Sequence, residues 1–199
     1  MTKKTKIAII DYGSSNLQSV ANALTVLRKD FIIVNDPKQL NDFDKVIVPG
    51  VGAAGNAMEK LIQSGFAEVL PTLKVPTLGI CLGLQLMAEF SEEGNVECLS
   101  IIPGQVKRFQ TELKVPHMGW NKVELLKDSP LTKGIPNDSL FYFVHSYYLE
   151  TEPKFIIGQT AYDINFSAIV QKDNFYAVQF HPEKSGKYGM KLLSNFCNL

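Results

Sequence analysis

The sequence lacks the features that mark several broad classes of protein. Its 20 Lys and Arg residues are balanced by 20 Asp and Glu residues, so it has no basic field of the kind that attracts nucleic acids. The three cysteines, Cys81, Cys98 and Cys197, form no CxxC pair, which argues against a disulfide scaffold and favours a reducing compartment. No apolar run approaches the roughly 20 residues of a membrane span, and Ile7–Ile10 is too short for a signal-peptide core. We therefore expect a cytoplasmic globular protein.

Predicted strands and helices alternate in the first half of the chain. Apolar runs typical of strands buried on both faces lie at residues 7–10, 31–34, 46–48 and 75–80. Helices are predicted between or after them, at residues 17–27, 53–64 and 82–90. Shorter strands follow at residues 104–109, 123–126, 141–144, 155–159, 168–172 and 176–180, before a last helix at 185–197. The pattern predicts one α/β domain over residues 1–199, with a mostly parallel sheet flanked by helices and an antiparallel extension.

Cys81 has the clearest chemical context in the sequence. It lies in Gly79-Ile-Cys-Leu-Gly83, where a buried strand runs directly into a helix, as in a nucleophile elbow. Small neighbours let the strand and helix approach closely, and the N–H of Leu82 can face a developing oxyanion. The helix N-terminus also favours a thiolate. A buried structural cysteine in an ordinary βα turn fits the same residues, so both interpretations remain open.

The tripeptide His181-Pro182-Glu183 follows the last predicted strand. Residues two apart in an extended segment project to the same side, so Glu183 can orient His181 as the base of a nucleophile. Taken alone, this tripeptide is more often part of a solvated loop.

Residues 48–55, Val-Pro-Gly-Val-Gly-Ala-Ala-Gly, contain the G-x-G-x-x-G pattern of dinucleotide-binding loops. The context does not fit that function, because the pattern follows a later strand and Pro49 precedes it. The next strand also ends in Cys81, where an acidic ribose ligand is required. We instead expect an exposed backbone amide here, opposite the elbow, as part of an oxyanion hole.

The remaining histidines and aromatic residues carry little signal by themselves. His117, His145 and His181 are scattered singly without metal-ligand spacing, so no metal site is expected. His145 lies in an aromatic strand, and both His145 and Trp120 are ordinarily core residues.

Taken together, Pro49-Gly-Val-Gly, Gly79-Ile-Cys-Leu-Gly-Leu-Gln and Phe180-His-Pro-Glu resemble a class I glutamine amidotransferase domain. Three further stretches resemble, within that family, the glutaminase subunits of imidazole glycerol phosphate synthases. They are Ile10-Asp-Tyr-Gly-Ser-Ser-Asn16, Pro116-His-Met-Gly-Trp-Asn121 and Tyr142-Phe-Val-His-Ser-Tyr147. The resemblance extends from Ile7 to Phe196 and implies a flavodoxin-like fold without a cofactor.

The resemblance implies a role for each matching residue. Cys81 would attack the side-chain amide of glutamine, with His181 as base and Glu183 holding the imidazole. The oxyanion hole would be formed by the N–H groups of Leu82 and of the Val51–Gly52 segment. In the family, the peptide at residues 50–52 often points away until the partner binds its substrate. The glutamine-binding residues would be Gly50, Gln85, His145, Ser146 and Tyr147.

The resemblance also implies a partner, the (β/α)₈ cyclase of imidazole glycerol phosphate synthase. This cyclase would receive ammonia directly and produce imidazole glycerol phosphate and AICAR in histidine biosynthesis. The residues that match the family's docking face are Asn16, Met118, Trp120, Tyr142 and Lys184.

Several departures from the family pattern leave a different function open. Residues 53–56, Ala-Ala-Gly-Asn, stand where an aromatic and an acidic residue are more usual, and residues 95–102 lack a common Gly-Leu-Gly. The resemblance therefore also allows a paralogue that supplies ammonia to a sugar amidotransferase in surface-polysaccharide biosynthesis. A cysteine peptidase or deglycase, a non-catalytic binding subunit and a dinucleotide-binding oxidoreductase are more distant possibilities, and the motifs argue against each of them.

Overall fold

The fold is described from a computed structural model, which covers residues 5–13 and 16–199. The strands are β1 (Ile7–Ile10), β2 (Phe31–Val34), β3 (Lys45–Val48), β4 (Thr77–Ile80), β5 (Phe90–Ser91), β6 (Val96–Glu97), β7 (Gln105–Arg108), β8 (His117–Leu125), β9 (Ser139–His145), β10 (Tyr147–Glu150), β11 (Ile156–Tyr162), β12 (Ile164–Lys172) and β13 (Phe175–Val178). The α-helices are α1 (Leu17–Val26), α2 (Ala54–Gln63), α3 (Phe66–Val69), α4 (Leu82–Leu86) and α5 (Gly186–Cys197). Short 3₁₀ helices lie at Pro37–Asp42, Leu70–Thr72, Pro130–Thr132, Pro153–Phe155 and Pro182–Lys184.

The main sheet has nine strands in the order β2-β1-β3-β4-β13-β12-β11-β8-β9. The strands from β2 to β13 in this order are parallel, and every pairing from β13 onward is antiparallel. The predicted combination of a parallel sheet with an antiparallel extension is therefore confirmed. A tight turn at residues 172–175 joins β12 to β13, since Lys172 pairs with Phe175.

Alternate residues of the central strands face two different hydrophobic layers. Ile7 and Ile9 of β1 pack with α1 and α5 on one face of the sheet. Ala8 and Ile10 pack with α2, α3 and α4 on the other face. This division follows from the two-residue period of a strand, and it explains why β1 is apolar at every position.

Several details differ from the sequence predictions, among them the start of β8 at His117 where residue 123 was predicted. Strand β2 is an edge strand with Ile32 55% and Ile33 44% exposed, whereas burial on both faces was predicted. Helix α4 ends at Leu86, not near residue 90, because Phe90 begins a strand of a second sheet. This second sheet, with the order β10-β7-β5-β6, was not predicted.

The parallel strands β3, β4 and β13 are neighbours, and their carboxyl ends lie at the same edge of the sheet. The segment at residues 49–52 follows β3, Cys81 follows β4 and His181 lies shortly after β13. The topology therefore places all three sequence motifs at the edge where open α/β sheets bind their ligands.

Candidate active site

Cys81 occupies a sharp turn between β4 and α4. Its backbone has φ 53° and ψ −106°, a conformation that non-glycine residues rarely adopt. The Cys81 N–H donates to the carbonyl oxygen of Val178 at 2.8 Å, which ties the turn to strand β13. Such backbone strain at a reactive side chain is typical of a functional site.

The flanking glycines are required by close contacts of the backbone. A Cβ atom at Gly79 would lie 2.7 Å from the carbonyl oxygen of Gly83, and a Cβ atom at Gly83 would overlap the carbonyl oxygen of Val48. Helix α4 therefore packs directly on strands β3 and β4. Leu82 is the first residue of α4, so its N–H has no partner within the helix and can bind an anion beside Cys81.

His181 and Glu183 form a buried pair. His181 Nδ1 lies 2.8 Å from Glu183 Oε1, and the two side chains are 1% and 0% exposed. The same carboxylate oxygen accepts a hydrogen bond from Asn16 Nδ2 at 2.9 Å. The contact between these two side chains was predicted, but the predicted extended segment is wrong: His181 precedes the 3₁₀ helix Pro182–Lys184, and its tight turn brings Glu183 back to the ring.

The charges of this pair stabilise each other. Burial acts to lower the pKa of His181, but the neighbouring Cys81 and Glu183 side chains raise it to about 10. Burial acts to raise the pKa of Glu183, but His181 and Asn16 hold it below its ordinary value. His181 Nε2 is buried and has no hydrogen-bond partner among the described residues, so it is free to exchange a proton.

Cys81 and His181 line one cavity of about 270 Å³. Its walls contain most of the residues that the sequence analysis selected: Val51, Gly52, Leu82, Gln85, His145, Ser146 and Tyr147. Gly50 does not line the cavity but lies behind it, where a Cβ atom would lie 2.6 Å from the hydroxyl oxygen of Tyr12. A larger cavity of about 690 Å³, around residues 125–135, contains none of the selected residues.

Two polar residues of the site were missed by the sequence analysis. Gln179 Nε2 lies 3.8 Å from Cys81 Sγ, and Gln179 Oε1 accepts from Gln85 Nε2 at 3.2 Å. Glu93 lines the cavity and accepts from the Ala54 N–H at 2.9 Å, while burial raises its pKa. Gln179 follows β13 directly and lies two residues before His181, so the two-residue spacing at this strand end was a signal for it. Glu93 lies in a turn of the unpredicted second sheet and had no such signal.

The residues selected for a docking face lie next to this cavity. Met118 and Trp120 are 60% and 55% exposed on β8, and Trp120 packs edge-on against Tyr142 with ring centroids 6.0 Å apart. Lys184 is exposed at the end of the His181–Glu183 segment. Asn16 differs from the others because its side chain is bonded to Glu183. Ser14 and Ser15, from the same sequence motif as Asn16, lie outside the described residues.

Membrane-spanning segments and metal sites are not formed by the described residues. Over 5–13 and 16–199, no helix is long and apolar enough to cross a membrane. The same residues contain no cluster of three or more His, Cys, Asp or Glu side chains suited to a metal ion.

The chain is similar to known proteins over nearly its full length. The sequence model of the family described as glutamine amidotransferase class-I matches residues 8–199. The imidazole glycerol phosphate synthase subunit HisH of Bacteroides fragilis is 50% identical over 197 residues, which are 98% of this chain and 100% of that protein. The subunit of the same name from Methanocaldococcus jannaschii is 46% identical over 97% of this chain and 99% of its own length. Among solved structures, PurLQS from Thermotoga maritima shares the fold, with a TM-score of 0.76 at 17% identity and 98% coverage of each chain. The chain belongs to the class I glutamine amidotransferase family.

Proposed function

We propose that this chain is the glutaminase subunit of an imidazole glycerol phosphate synthase. It hydrolyses L-glutamine to glutamate and ammonia, and it passes the ammonia to a cyclase subunit that makes imidazole glycerol phosphate and AICAR in histidine biosynthesis. The observation that carries the proposal is the strained Cys81 in one cavity with His181, whose ring is bonded to Glu183 behind it. The similarity to the two HisH subunits supports this choice of pathway.

The reaction uses Cys81 and His181 as a nucleophile and its base. Cys81 Sγ attacks the side-chain amide carbon of glutamine, and the proton that the thiol has given up is held on His181 Nε2, where Cys81 and Glu183 raise the pKa of the ring to about 10. When the carbon–nitrogen bond breaks, that proton moves to the leaving nitrogen and ammonia is released. A water molecule, deprotonated by His181, then cleaves the thioester to give glutamate and restore the thiol. Glu183 holds the ring through Nδ1 and stabilises its charged form.

The tetrahedral intermediates place a negative charge on the former amide oxygen. We propose that the Leu82 N–H and an N–H of the Val51–Gly52 segment bind this oxygen. Gly52 has φ 104°, and a Cβ atom there would meet nothing within 4 Å, so this segment has room to reorient. Loss of one oxyanion donor typically costs about 10²–10³ in rate, which is enough to regulate the enzyme through this segment.

The amino and carboxylate groups of glutamine are held by the cavity wall formed by Gln85, Glu93 and residues 145–147. Gln85 Nε2 already donates to Tyr147 and Gln179, so Gln85 Oε1 remains as an acceptor for the substrate. The carboxylate of Glu93 complements the α-ammonium group. The backbone of His145, Ser146 and Tyr147 forms the rest of this wall, and Gly50 acts indirectly by supporting Leu82.

The partner proposed for the face with Met118 and Trp120 is the cyclase subunit. The aromatic and thioether side chains are residue types that anchor protein interfaces. Strand β8 is also joined to the cavity wall, since Met118 pairs with the cavity residue Val144 on β9. Ammonia can therefore pass between the subunits.

We further propose that residues 1–199 form one domain and that the protein acts in the cytoplasm.

A second candidate for the partner is a sugar amidotransferase of surface-polysaccharide biosynthesis. The unusual start of helix α2 is the observation that favours it, because residues 53–56 lack the aromatic and acidic residues that are more usual there, and Gly55 packs on Gly94. Both candidates require the same glutaminase chemistry and differ only in the protein that receives the ammonia.

The proposal is tested by measuring glutamine-dependent ammonia release with and without the cyclase and its ribotide ligand, N-(phosphoribulosyl)formimino-aminoimidazole ribotide. We expect a low basal rate that rises strongly with the liganded cyclase and disappears in Cys81→Ala. Activity that needs Cys81 but ignores the cyclase would contradict the histidine pathway and favour the sugar-modifying partner. A glutamine-analogue inhibitor that fails to label Cys81 would contradict glutaminase chemistry altogether.

A further inference from the structure

At the cavity wall, two buried histidines form a chain of hydrogen bonds through their side chains, to which the proposed reaction assigns no role. His117 on β8 and His145 on β9 are cross-strand partners, and they are only 4% and 6% exposed. His117 Nδ1 lies 3.1 Å from His145 Nε2. His145 Nδ1 lies 2.7 Å from the carbonyl oxygen of Tyr147. The two rings therefore connect β8 to the corner between the two sheets.

The hydrogen positions in this chain follow from its two ends. A carbonyl oxygen can only accept, so His145 carries its proton on Nδ1 and presents a bare Nε2. That Nε2 accepts from His117 Nδ1–H, which leaves His117 Nε2 as an acceptor. Asn121 Nδ2, 3.3 Å away, is the matching donor, and its orientation is fixed by a 2.9 Å bond to the carbonyl oxygen of Ala161. Every donor along the chain meets an acceptor.

The surroundings keep both rings uncharged. Burial lowers the pKa of His117 to about 4. Burial also lowers the pKa of His145, to about 3, and the nearby His117 and His181 act in the same direction against the Tyr147 carbonyl. His117 is further fixed by stacking on Tyr162, with ring centroids 4.1 Å apart and planes at 28°. At neutral pH the two imidazoles are thus single tautomers in single orientations.

The chain ends at the wall that we propose binds glutamine. The carbonyl oxygen of Tyr147 accepts from His145 Nδ1 and also from Gln85 Nε2 at 3.0 Å. The His145 ring spans the corner at Ser146, so it fixes the direction of this carbonyl. The carbonyl in turn fixes the amide of Gln85, whose remaining oxygen is the acceptor for substrate.

We infer that His117 and His145 are positioning residues: their uncharged rings form a hydrogen-bond relay from β8 to the Tyr147 carbonyl, and this relay holds Gln85 and residues 146–147 in the geometry that binds glutamine. The inference rests on the proposed glutaminase function and adds to it two side chains that act through their neighbours. The inference also assigns a different role to each face of strand β8. Met118 and Trp120 point outward to the docking side, while His117 points inward to the substrate wall.

The relay is tested by removing one hydrogen bond at a time. His117→Phe keeps a ring between Tyr162 and Phe143 but leaves His145 Nε2 without its donor. In the complex with the liganded cyclase, we expect the KM for glutamine to rise about 10-fold, with kcat changed less than about 3-fold. The Kd for glutamine, measured in a Cys81→Ala background, should rise by the same factor. His117→Asn keeps a donor near the position of Nδ1 and should restore the KM to within about 3-fold of the wild type.

A matched control is Tyr162→Phe, which alters the same aromatic stack. It removes the hydroxyl that donates to the carbonyl oxygen of Lys114 at 2.6 Å, but it leaves the relay complete. Its KM should equal that of the wild type. An unchanged KM in His117→Phe, or an equal rise in His117→Asn or Tyr162→Phe, would overturn the inference.

An independent test needs neither a variant nor catalytic activity. Nitrogen-15 NMR of the histidine-labelled chain at neutral pH should show His117 and His145 as neutral Nδ1–H tautomers. A protonated ring or an Nε2–H tautomer at either position would overturn the relay. A chain that shows these tautomers but hydrolyses no glutamine with any partner would contradict the proposed function instead, so the two failures are distinguishable.

Discussion

At the scale of single residues, Gln179 links the nucleophile to the substrate wall. Its amide donates toward Cys81 Sγ and accepts from Gln85, and its side chain is fully buried. We expect Gln179→Leu to lower glutaminase kcat/KM by about 10–100-fold, because Gln85 loses an acceptor and a buried polar group is left unsatisfied. The matched control is Gln171→Leu on the neighbouring strand β12, where the side chain accepts from Ser129 far from the site. Equal activity of Gln179→Leu and the wild type would remove Gln179 from the site.

Asn16 makes a contact that its sequence assignment did not include. It was predicted at the partner interface, yet its side chain donates to the Glu183 oxygen that also holds His181. We expect Asn16→Ala to lower the glutaminase rate about 3–10-fold both with and without the cyclase, because Glu183 loses a donor. Ammonia release by the isolated chain decides the point. Asn56→Ala, at an exposed position of α2, serves as the control, and a loss confined to the stimulated rate would place Asn16 only in docking.

At the scale of secondary-structure elements, the sequence patterns predicted the buried strands and missed structure fixed by distant contacts. Strands β1 and β3 are apolar at nearly every position because helices cover both faces. Helix α4 was predicted too long because residues 82–88 are mostly apolar all round and show no helical face. It ends where it does because the N–H groups of Leu99 and Ile101 donate to the carbonyl oxygens of Leu86 and Met87, a contact with no local signal.

The site residues, like the secondary-structure elements, were predicted where a local sequence pattern exists and missed where distant contacts decide the structure. Cys81 and His181 were found because they follow the ends of neighbouring parallel strands. Glu183 was found from its two-residue spacing, although a 3₁₀ helix and not an extended strand brings it to His181. Strand β8 was predicted to begin at residue 123 but begins at His117, since its inward residues are His117, Gly119 and Asn121. An inward face of this composition has no apolar alternation, so the pairing of its histidines was invisible in the sequence.

Two glycine-to-alanine substitutions should change the free energy of unfolding in opposite directions, one at the contact between α4 and β3 and one in helix α2. Gly83→Ala should lower the free energy of unfolding by about 3 kcal/mol, because the new methyl group overlaps a carbonyl oxygen that cannot move away. Gly55→Ala in helix α2 should instead raise it by about 0.5–1 kcal/mol, because its methyl group meets Gly94 Cα at an ordinary 3.6 Å. Urea unfolding measures both. Equal effects would contradict the close approach of α4 to β3.

At the scale of the whole molecule, the buried histidines make stability depend on pH. His117 and His145 have folded pKa values of about 4 and 3, so the unfolded chain binds protons that the folded chain excludes as pH falls below about 6.5. Their contribution to stability is therefore present above about pH 6.5 and is lost as pH falls toward about 4 for His117 and about 3 for His145. His181 has the opposite sign: its pKa is raised to about 10, so its contribution is fully present below about pH 6.5 and is lost as pH rises toward 10.

The expected outcome is a steep fall in unfolding free energy between about pH 6.5 and 4, to which the two buried histidines contribute up to about two protons. His117→Phe should reduce the slope of unfolding free energy against pH by the equivalent of about one bound proton, because the unfolded variant has one histidine fewer to protonate. Urea unfolding at several pH values gives the slope. A slope unchanged by the substitution would show that His117 is protonated in the folded chain, against its burial.

The whole molecule has an exposed apolar face, formed by Met118 and Trp120 with Tyr142, at the side where the partner is proposed to bind. The face with Trp120, Met118 and Tyr142 borders the catalytic cavity, because Met118 pairs with the cavity residue Val144, so a partner bound there is placed to receive ammonia. We expect Trp120→Ala to weaken the cyclase affinity and stimulation about 10–100-fold, as loss of an interface anchor does. The basal glutaminase rate and the unfolding curve of the isolated chain should not change, because Trp120 is 55% exposed. Ile62→Ala, at a side chain 63% exposed on α2, is the matched control for removing surface apolar area. The measurement is ammonia release as a function of cyclase concentration. An unchanged curve for Trp120→Ala would place the partner on another face, away from the cavity in which ammonia is released.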